Sequence, residues 1–320
     1  MDRPGWPRSG KGAVKVSLNY PQAEYVLAAT QLTLAMAGMG MTLTVKDFLE
    51  VVKAPRGMAV GMFVQLMLVP LLALAVGWVL PVPAPIGVGM ILVAAMPGGA
   101  MSNIFTWLSR GNAALSIAMT ALSTLGCLVT TPVILKLLAG PYLPADFSMP
   151  VGHIVREILL YLLIPLCLGM ALRHWKVLTA HRLSPWLIRG SFVALTLILV
   201  GSLGSGRIQL TAWGWQGPVA LVAFCLAIQY ATLLVCWLAR ISPGDTAALV
   251  IEAVLRNSNL ALLLKASLFP VVDGGDNTLA DAVLFTILYC GGTSISVIWP
   301  PLLLHRFKKT PWFILPLRGR

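Results

Sequence analysis

Nine stretches of this chain stay apolar for about twenty residues, the length a helix needs to cross the hydrocarbon core of a bilayer. They are 25–43, 57–79, 86–108, 113–137, 154–172, 186–203, 213–238, 246–269 and 279–303. Such a chain has few folds open to it, because backbone N–H and C=O groups in lipid must be satisfied inside helices or a closed barrel. The expected fold class is an all-α membrane protein with nine transmembrane helices. The links are short and rich in Pro or Gly, as in Leu80-Pro81-Val82-Pro83-Ala84-Pro85 and Ala139-Gly140-Pro141-Tyr142-Leu143-Pro144, so no soluble domain fits between spans. The organisation expected is a tail (1–24), one membrane domain (25–304) and a cytoplasmic tail (305–320).

A net charge of +12 would suggest nucleic acid in a soluble protein, but here the basic residues sit in short loops beside spans, where they report orientation. With the N-terminus outside, Lys46, Lys53, Arg56, Arg110, Arg173, Lys176, Arg182, Arg189, Arg240, Arg306, Lys308, Lys309, Arg318 and Arg320 fall on the cytoplasmic side. Few positives oppose them after the tail, namely Lys136, Arg156 and Arg207. Arg3, Arg8, Lys11 and Lys15 in the tail itself argue the other way. The expected location is the cell's inner (plasma) membrane, with the C-terminus cytoplasmic and no nucleic-acid partner. A basic start followed by Ala35-Met36-Ala37 imitates a cleaved secretory signal; the apolar run continues through Met41 and Leu43, which favours an uncleaved span. The five cysteines (Cys127, Cys167, Cys225, Cys236, Cys290) all lie in spans without C-x-x-C spacing and read as packing residues.

Two spans are interrupted. In 251–264, IEAVLRNSNLALLL, Glu252 and Arg256 stand inside an apolar run, where a central charge costs roughly 2.5–3.5 kcal/mol and marks an ion or substrate path. On a continuous helix their four-residue spacing would make them an ion pair. Farther along, Lys265 could snorkel to the interface. In 86–108, Pro97-Gly98-Gly99 is poor helix material, Gly costing about 1 and Pro about 3 kcal/mol relative to Ala. Unwound backbone at membrane depth is tolerated where it is buried in protein or lines a wet cavity. Ser102 and Asn103 follow at once. Paired interruptions in the two halves of a chain point to a carrier's binding site.

The remaining polar groups admit two readings each. Gln65, five residues before Pro70, is either a helix–helix hydrogen bond or part of an ion site. Ser116 and Thr120 share one helix face, though hydroxyls in helices commonly bond back to their own carbonyls. Thr130-Thr131-Pro132 reads as a kink. Small residues in Gly38-Met39-Gly40 permit close helix approach, and Gln229 faintly echoes Gln65. The basic segment 173–189 reads as a loop between two scaffold spans.

Taken in order, Gly38-Met39-Gly40-Met41-Thr42-Leu43, Gln65 before Pro70, Pro97-Gly98-Gly99-Ala100-Met101-Ser102-Asn103, Leu115-Ser116 to Thr120 with Ser123-Thr124 and Thr131-Pro132, and Glu252 with Asn257 resemble the bile acid:sodium symporter family. The resemblance implies a carrier of inverted repeats in its nine-span form. A core domain (57–137 and 213–303) would hold two crossing broken helices, and a panel domain (25–43, 154–172, 186–203) would move against it. It further implies a sodium site of Ser102, Asn103, Ser116, Thr120 and Glu252, and a second of Gln65, Glu252 and the backbone of Ala253 and Leu255, with Asn257 facing the substrate. Oxygen ligands suit a hard cation.

The departures are as informative. Arg256 stands where the family commonly has Gln, and its charge beside Glu252 would repel a second cation. It is expected either to replace that ion permanently or to bind the substrate's anionic group. Ala100 and Cys290 make the cavity less polar than the family pattern.

The function expected is import of an organic anion, bile-acid-like or a small carboxylate, coupled to sodium and needing no cofactor. The alternative is a sodium-independent or proton-coupled carrier of the same fold. An enzyme is not expected: His153, His174, His181 and His305 fall at span ends or in loops, and no Gly-x-Ser-x-Gly or His-Glu-x-x-His occurs.

Overall fold

The structure is a computed structural model that describes residues 20–49, 55–143, 147–208, 212–272 and 275–308. Most of the expected N-terminal tail, with Arg3, Arg8, Lys11 and Lys15, lies outside the described residues, as do Lys53, Asp146, Asp273 and residues 309–320 of the other tail.

The described residues form twelve helices: α1 (Tyr20–Gly40), α2 (Val45–Leu49), α3 (Pro55–Val79), α4 (Ala84–Ala95), α5 (Ala100–Leu108), α6 (Ala113–Leu138), α7 (Val151–Trp175), α8 (Val177–Gly204), α9 (Gln216–Leu238), α10 (Pro243–Val254), α11 (Ser258–Leu268) and α12 (Thr278–Lys308). Six of these, α3, α6, α7, α8, α9 and α12, are long and apolar enough to cross a membrane. The two interrupted runs became two helix pairs, α4–α5 and α10–α11.

One expectation about helix continuity needs correction. The segment 173–189 is not a loop: α7 runs to Trp175 and α8 starts at Val177, with only Lys176 (φ −138°, ψ 72°) out of helical conformation. The charges that suggested a loop belong to residue types compatible with helix, and Arg182 and Arg189 extend from it; the Arg189 guanidinium lies 5.0 Å from the Trp186 ring. Pro132 lies inside its helix, which continues to Leu138.

Pro70 has a larger consequence. Within α3, Val64–Leu68 widens to π-helix and Val69 N–H bonds to Val64 O. The next bond in that register would run from residue 70 to Gln65 O, and proline has no N–H to give. The Gln65 carbonyl is therefore left for another donor.

The helices pack as two groups. In one, α1 lies along α7 and α8. Their approach is close because Gly40 and Gly169 face backbone: a Cβ on either would fall on Leu166 O or Ala37 O. In the other, α4 packs on α12, α9 on α10 and α12, and α5, α6 and α10 on one another. Against that second group, α1 touches α11. Leu32 and Met36 of α1, Leu92 of α4, Phe224 of α9 and Leu264 of α11 are all fully buried in the shared core.

Candidate functional site

The site is built where the two interrupted segments meet. Gly99 N–H donates to Leu255 O (2.9 Å) and Asn257 N–H to Pro97 O (3.0 Å), an antiparallel bridge between Gly98 and Arg256. Each unwound segment thus supplies the partners the other lacks, which is how non-helical backbone survives at this depth. The helix ends on either side are matched too. Thr131 Oγ1 of α6 donates to Ala95 O, the last residue of α4, at 2.8 Å; Ser294 Oγ of α12 donates to Val254 O, the last of α10, at 3.1 Å. Asn257 caps α11 by accepting from Leu260 N–H at 3.1 Å.

Glu252 sits in the last turn of α10, fully buried. Gly98 lets it in: a Cβ at that position would overlap the carboxylate. Ser102 Oγ and Ser116 Oγ (3.1 Å) donate to Glu252 Oε2, and Thr120 Oγ1 donates to Oε1 at 2.6 Å. Asn103 Oδ1 faces the same hydroxyls, accepting from Ser116 Oγ at 2.9 Å and Thr120 Oγ1 at 3.3 Å. The five residues that the family resemblance implied as one set, Ser102, Asn103, Ser116, Thr120 and Glu252, are thus joined in one hydrogen-bonded cluster. Thr106 Oγ1, which the sequence reading passed over, joins them 3.3 Å from Ser116 Oγ; its place one turn after Ser102 was the available signal.

Protons are scarce in this cluster. The hydroxyls of Ser102, Ser116 and Thr120 carry one each, yet they face both carboxylate oxygens, Asn103 Oδ1 and the carbonyls of Gly99 and Ser116. Lone pairs exceed protons around one formal negative charge. An oxygen-only set of this kind suits a hard cation.

Arg256 behaves differently from the helical ion pair expected. Because α10 ends at Val254, the four-residue spacing no longer stacks its side chain on Glu252. The guanidinium instead donates from Nη1 to Met96 O (3.1 Å) and from Nη2 to Gln65 O (3.2 Å), the carbonyl released by Pro70. Its Nε and both polar atoms of the buried Gln65 amide have no hydrogen-bond partner among the described residues. Of the second set, Leu255 contributes its carbonyl to Gly99 N–H, and Ala253 is fully buried within α10. Lys265 does not snorkel: it is fully buried, with Nζ 2.6 Å from Glu24 Oε1.

With this geometry in hand, comparison with known proteins is decisive. The sequence profile of the Sodium Bile acid symporter family matches residues 29–213. The chain belongs to that family. The "Probable sodium/metabolite cotransporter BASS2, chloroplastic" of Oryza sativa subsp. japonica is 32% identical over 272 residues, covering 82% of this chain and 61% of the relative. The "Uncharacterized sodium-dependent transporter YocS" of Bacillus subtilis (strain 168) is 31% identical over 242 residues, 74% of this chain and 73% of its own. A third relative, "Probable sodium/metabolite cotransporter BASS1, chloroplastic" of Arabidopsis thaliana, is 32% identical over 242 residues, 74% of this chain and 58% of its own. The chain spans about three fifths of the length of the rice relative. These relatives are transporters by name, not enzymes.

Proposed function

We propose that this chain is a secondary active transporter that imports a small organic anion, bile-acid-like or a simple carboxylate, together with one sodium ion. The observation that carries the reading is the surplus of oxygen lone pairs around Glu252, held where two unwound segments cross. Ser102, Asn103, Ser116, Thr120 and Glu252 are the sodium ligands. Arg256 stands in for a second cation: its charge lies on the Gln65 carbonyl, beside the Gln65 amide, Ala253 and Leu255 that would otherwise bind one. With both terminal nitrogens held by backbone, Arg256 acts on the substrate through its charge, and Asn257 at the crossing lines the substrate's path.

The fold gives the coupling its logic. We read the chain as nine crossings in inverted repeats, supported by the matching hydroxyl caps on α4 and α10, with α1, α7 and α8 as panel and the other spans as core. The basic ends of α5, α7 and α9 support a cytoplasmic face there and an outward N-terminus, in the plasma membrane as suits a relative of a Bacillus transporter. Glu252 and Arg256 together carry no net charge, so the empty site is neutral. Sodium alone adds one positive charge and the anion alone one negative, each costly at low dielectric. Sodium with a monovalent anion is neutral again, so only the empty and the fully loaded cores move easily.

The test is uptake into proteoliposomes across a panel of organic anions, with sodium varied. A first-order dependence on sodium is expected. A second-order dependence would overturn the role given to Arg256, and uptake that responds to pH and not to sodium would replace sodium with the proton.

A further inference from the structure

Among the described residues, a buried cluster of four charged side chains lies apart from the site. Lys265 of α11 is fully buried, and its Nζ donates to Glu24 Oε1 of α1 at 2.6 Å. The other oxygen, Glu24 Oε2, accepts from Arg207 Nη1 at 2.7 Å, and Arg207 Nε donates to Asp281 Oδ1 of α12 at 2.6 Å. Charges alternate along the chain of contacts: Lys265, Glu24, Arg207, Asp281. Its members come from both helix groups, Glu24 from α1 and Arg207 just past α8 on one side, Lys265 and Asp281 on the other.

Two further contacts cross between the groups in the same half of the molecule. Gln31 Nε2 of α1 donates to Asn259 Oδ1 of α11 at 2.6 Å, and His153 Nε2 of α7 lies 2.5 Å from Ser267 Oγ of α11. At 1.5 Å per residue, Lys265 lies about 12 Å along α11 from Asn257 at the crossing. The cluster therefore stands between the site and the face that carries the start of α1.

Such an arrangement is a poor way to gain stability, since burying ions costs about as much as their attraction returns; its best-attested use is to fix one register against another. A row of alternating charges is satisfied only when the two groups meet in this alignment. Any slide of α1 and α8 relative to α11 and α12 separates the partners and exposes them to water, where they are satisfied again.

We propose that Lys265, Glu24, Arg207 and Asp281 form a latch that holds this face shut, and that its rupture opens the cation site toward this face. The proposal rests on the carrier reading for its purpose, but its test needs neither substrate nor sodium flux.

The reporter is Ala28→Cys, one turn from Glu24 on α1 and 1% exposed, in a full-length chain whose exposed Cys167 is replaced by Ser. The reconstituted protein is treated with a membrane-impermeant maleimide applied to the face carrying the start of α1. With the latch intact the reporter is protected. Lys265→Met should raise its labelling rate at least tenfold, and Lys265→Arg, which keeps the charge, should not. Asp281→Asn alters the most exposed member, at 23%, and keeps the side chain's shape, so it serves if Lys265→Met does not fold; a several-fold rise is expected. Labelling within twofold of the parent in folded Lys265→Met or Asp281→Asn would overturn the latch. If labelling rises while the parent transports nothing, the latch stands and the carrier reading fails.

Discussion

Replacing Arg256 by Gln probes the feature that sets this chain apart. The guanidinium makes two buried, charge-assisted bonds, to Met96 O at 3.1 Å and Gln65 O at 3.2 Å. Bonds of that kind contribute about 1.5–3 kcal/mol each, and an amide can return roughly one neutral bond in their place. In sodium-free buffer Arg256→Gln should therefore lose about 2–5 kcal/mol of stability. The change also removes the charge that holds the second cation position and leaves two amides, Gln65 and the new one, beside the freed carbonyls. Sodium should then bind there, and at about 100 times its dissociation constant it would restore about 2.7 kcal/mol. The assay is thermal unfolding of the detergent-solubilised variant across a sodium series, with choline as the matched salt. The reasoning predicts a sodium-dependent recovery much steeper than in the parent, and uptake that rises toward second order in sodium. A folded variant that loses the same stability with and without sodium, and whose uptake stays first order, would refute it.

The other predictions are narrower. Glu252→Gln keeps the shape of the cluster but removes its charge; a cation about 4 Å away loses roughly 4 kcal/mol at an effective dielectric constant of about 20, so sodium affinity measured by thermal shift should fall about a thousandfold. Uptake of a monovalent anion should be indifferent to an imposed potassium-diffusion potential, because the loaded and empty cores carry equal net charge; a clear dependence on the potential in flux assays would contradict that parity. Gly98→Ala should abolish sodium-dependent uptake, since its Cβ would overlap the Glu252 carboxylate, whereas Gly126→Ala, with nothing within 4 Å of the new Cβ, should leave uptake unchanged.

The interruptions and the polar character of these segments were legible because each rests on local chemistry, whereas the grouping of Ser102, Asn103, Ser116, Thr120 and Glu252 into one set came from the family resemblance. Pro97-Gly98-Gly99 cannot hold a helix cheaply, Ser116 and Thr120 share a face at any helix phase, and a buried Glu252 needs donors. What escaped the sequence depends on partners distant along the chain or on where a helix stops. Arg256 looked like the partner of Glu252 only while the helix was taken as continuous; once α10 ends at Val254, the side chain turns to carbonyls in α3 and α4. Lys265 looked like a snorkelling residue because Glu24, its partner, lies far away in sequence on α1. Gln31 and Asn259 gave no local sign of bonding to each other. The basic segment 173–189 was misread for another reason: charge marks an interface, and a helix can pass through an interface unbroken.

Equilibrium binding of radioactive sodium to the purified chain addresses the crossing site most directly. One sodium per chain is expected for the wild type and none at the same concentrations for Glu252→Gln. Two sodium ions per wild-type chain, or binding that survives loss of the carboxylate, would contradict the account.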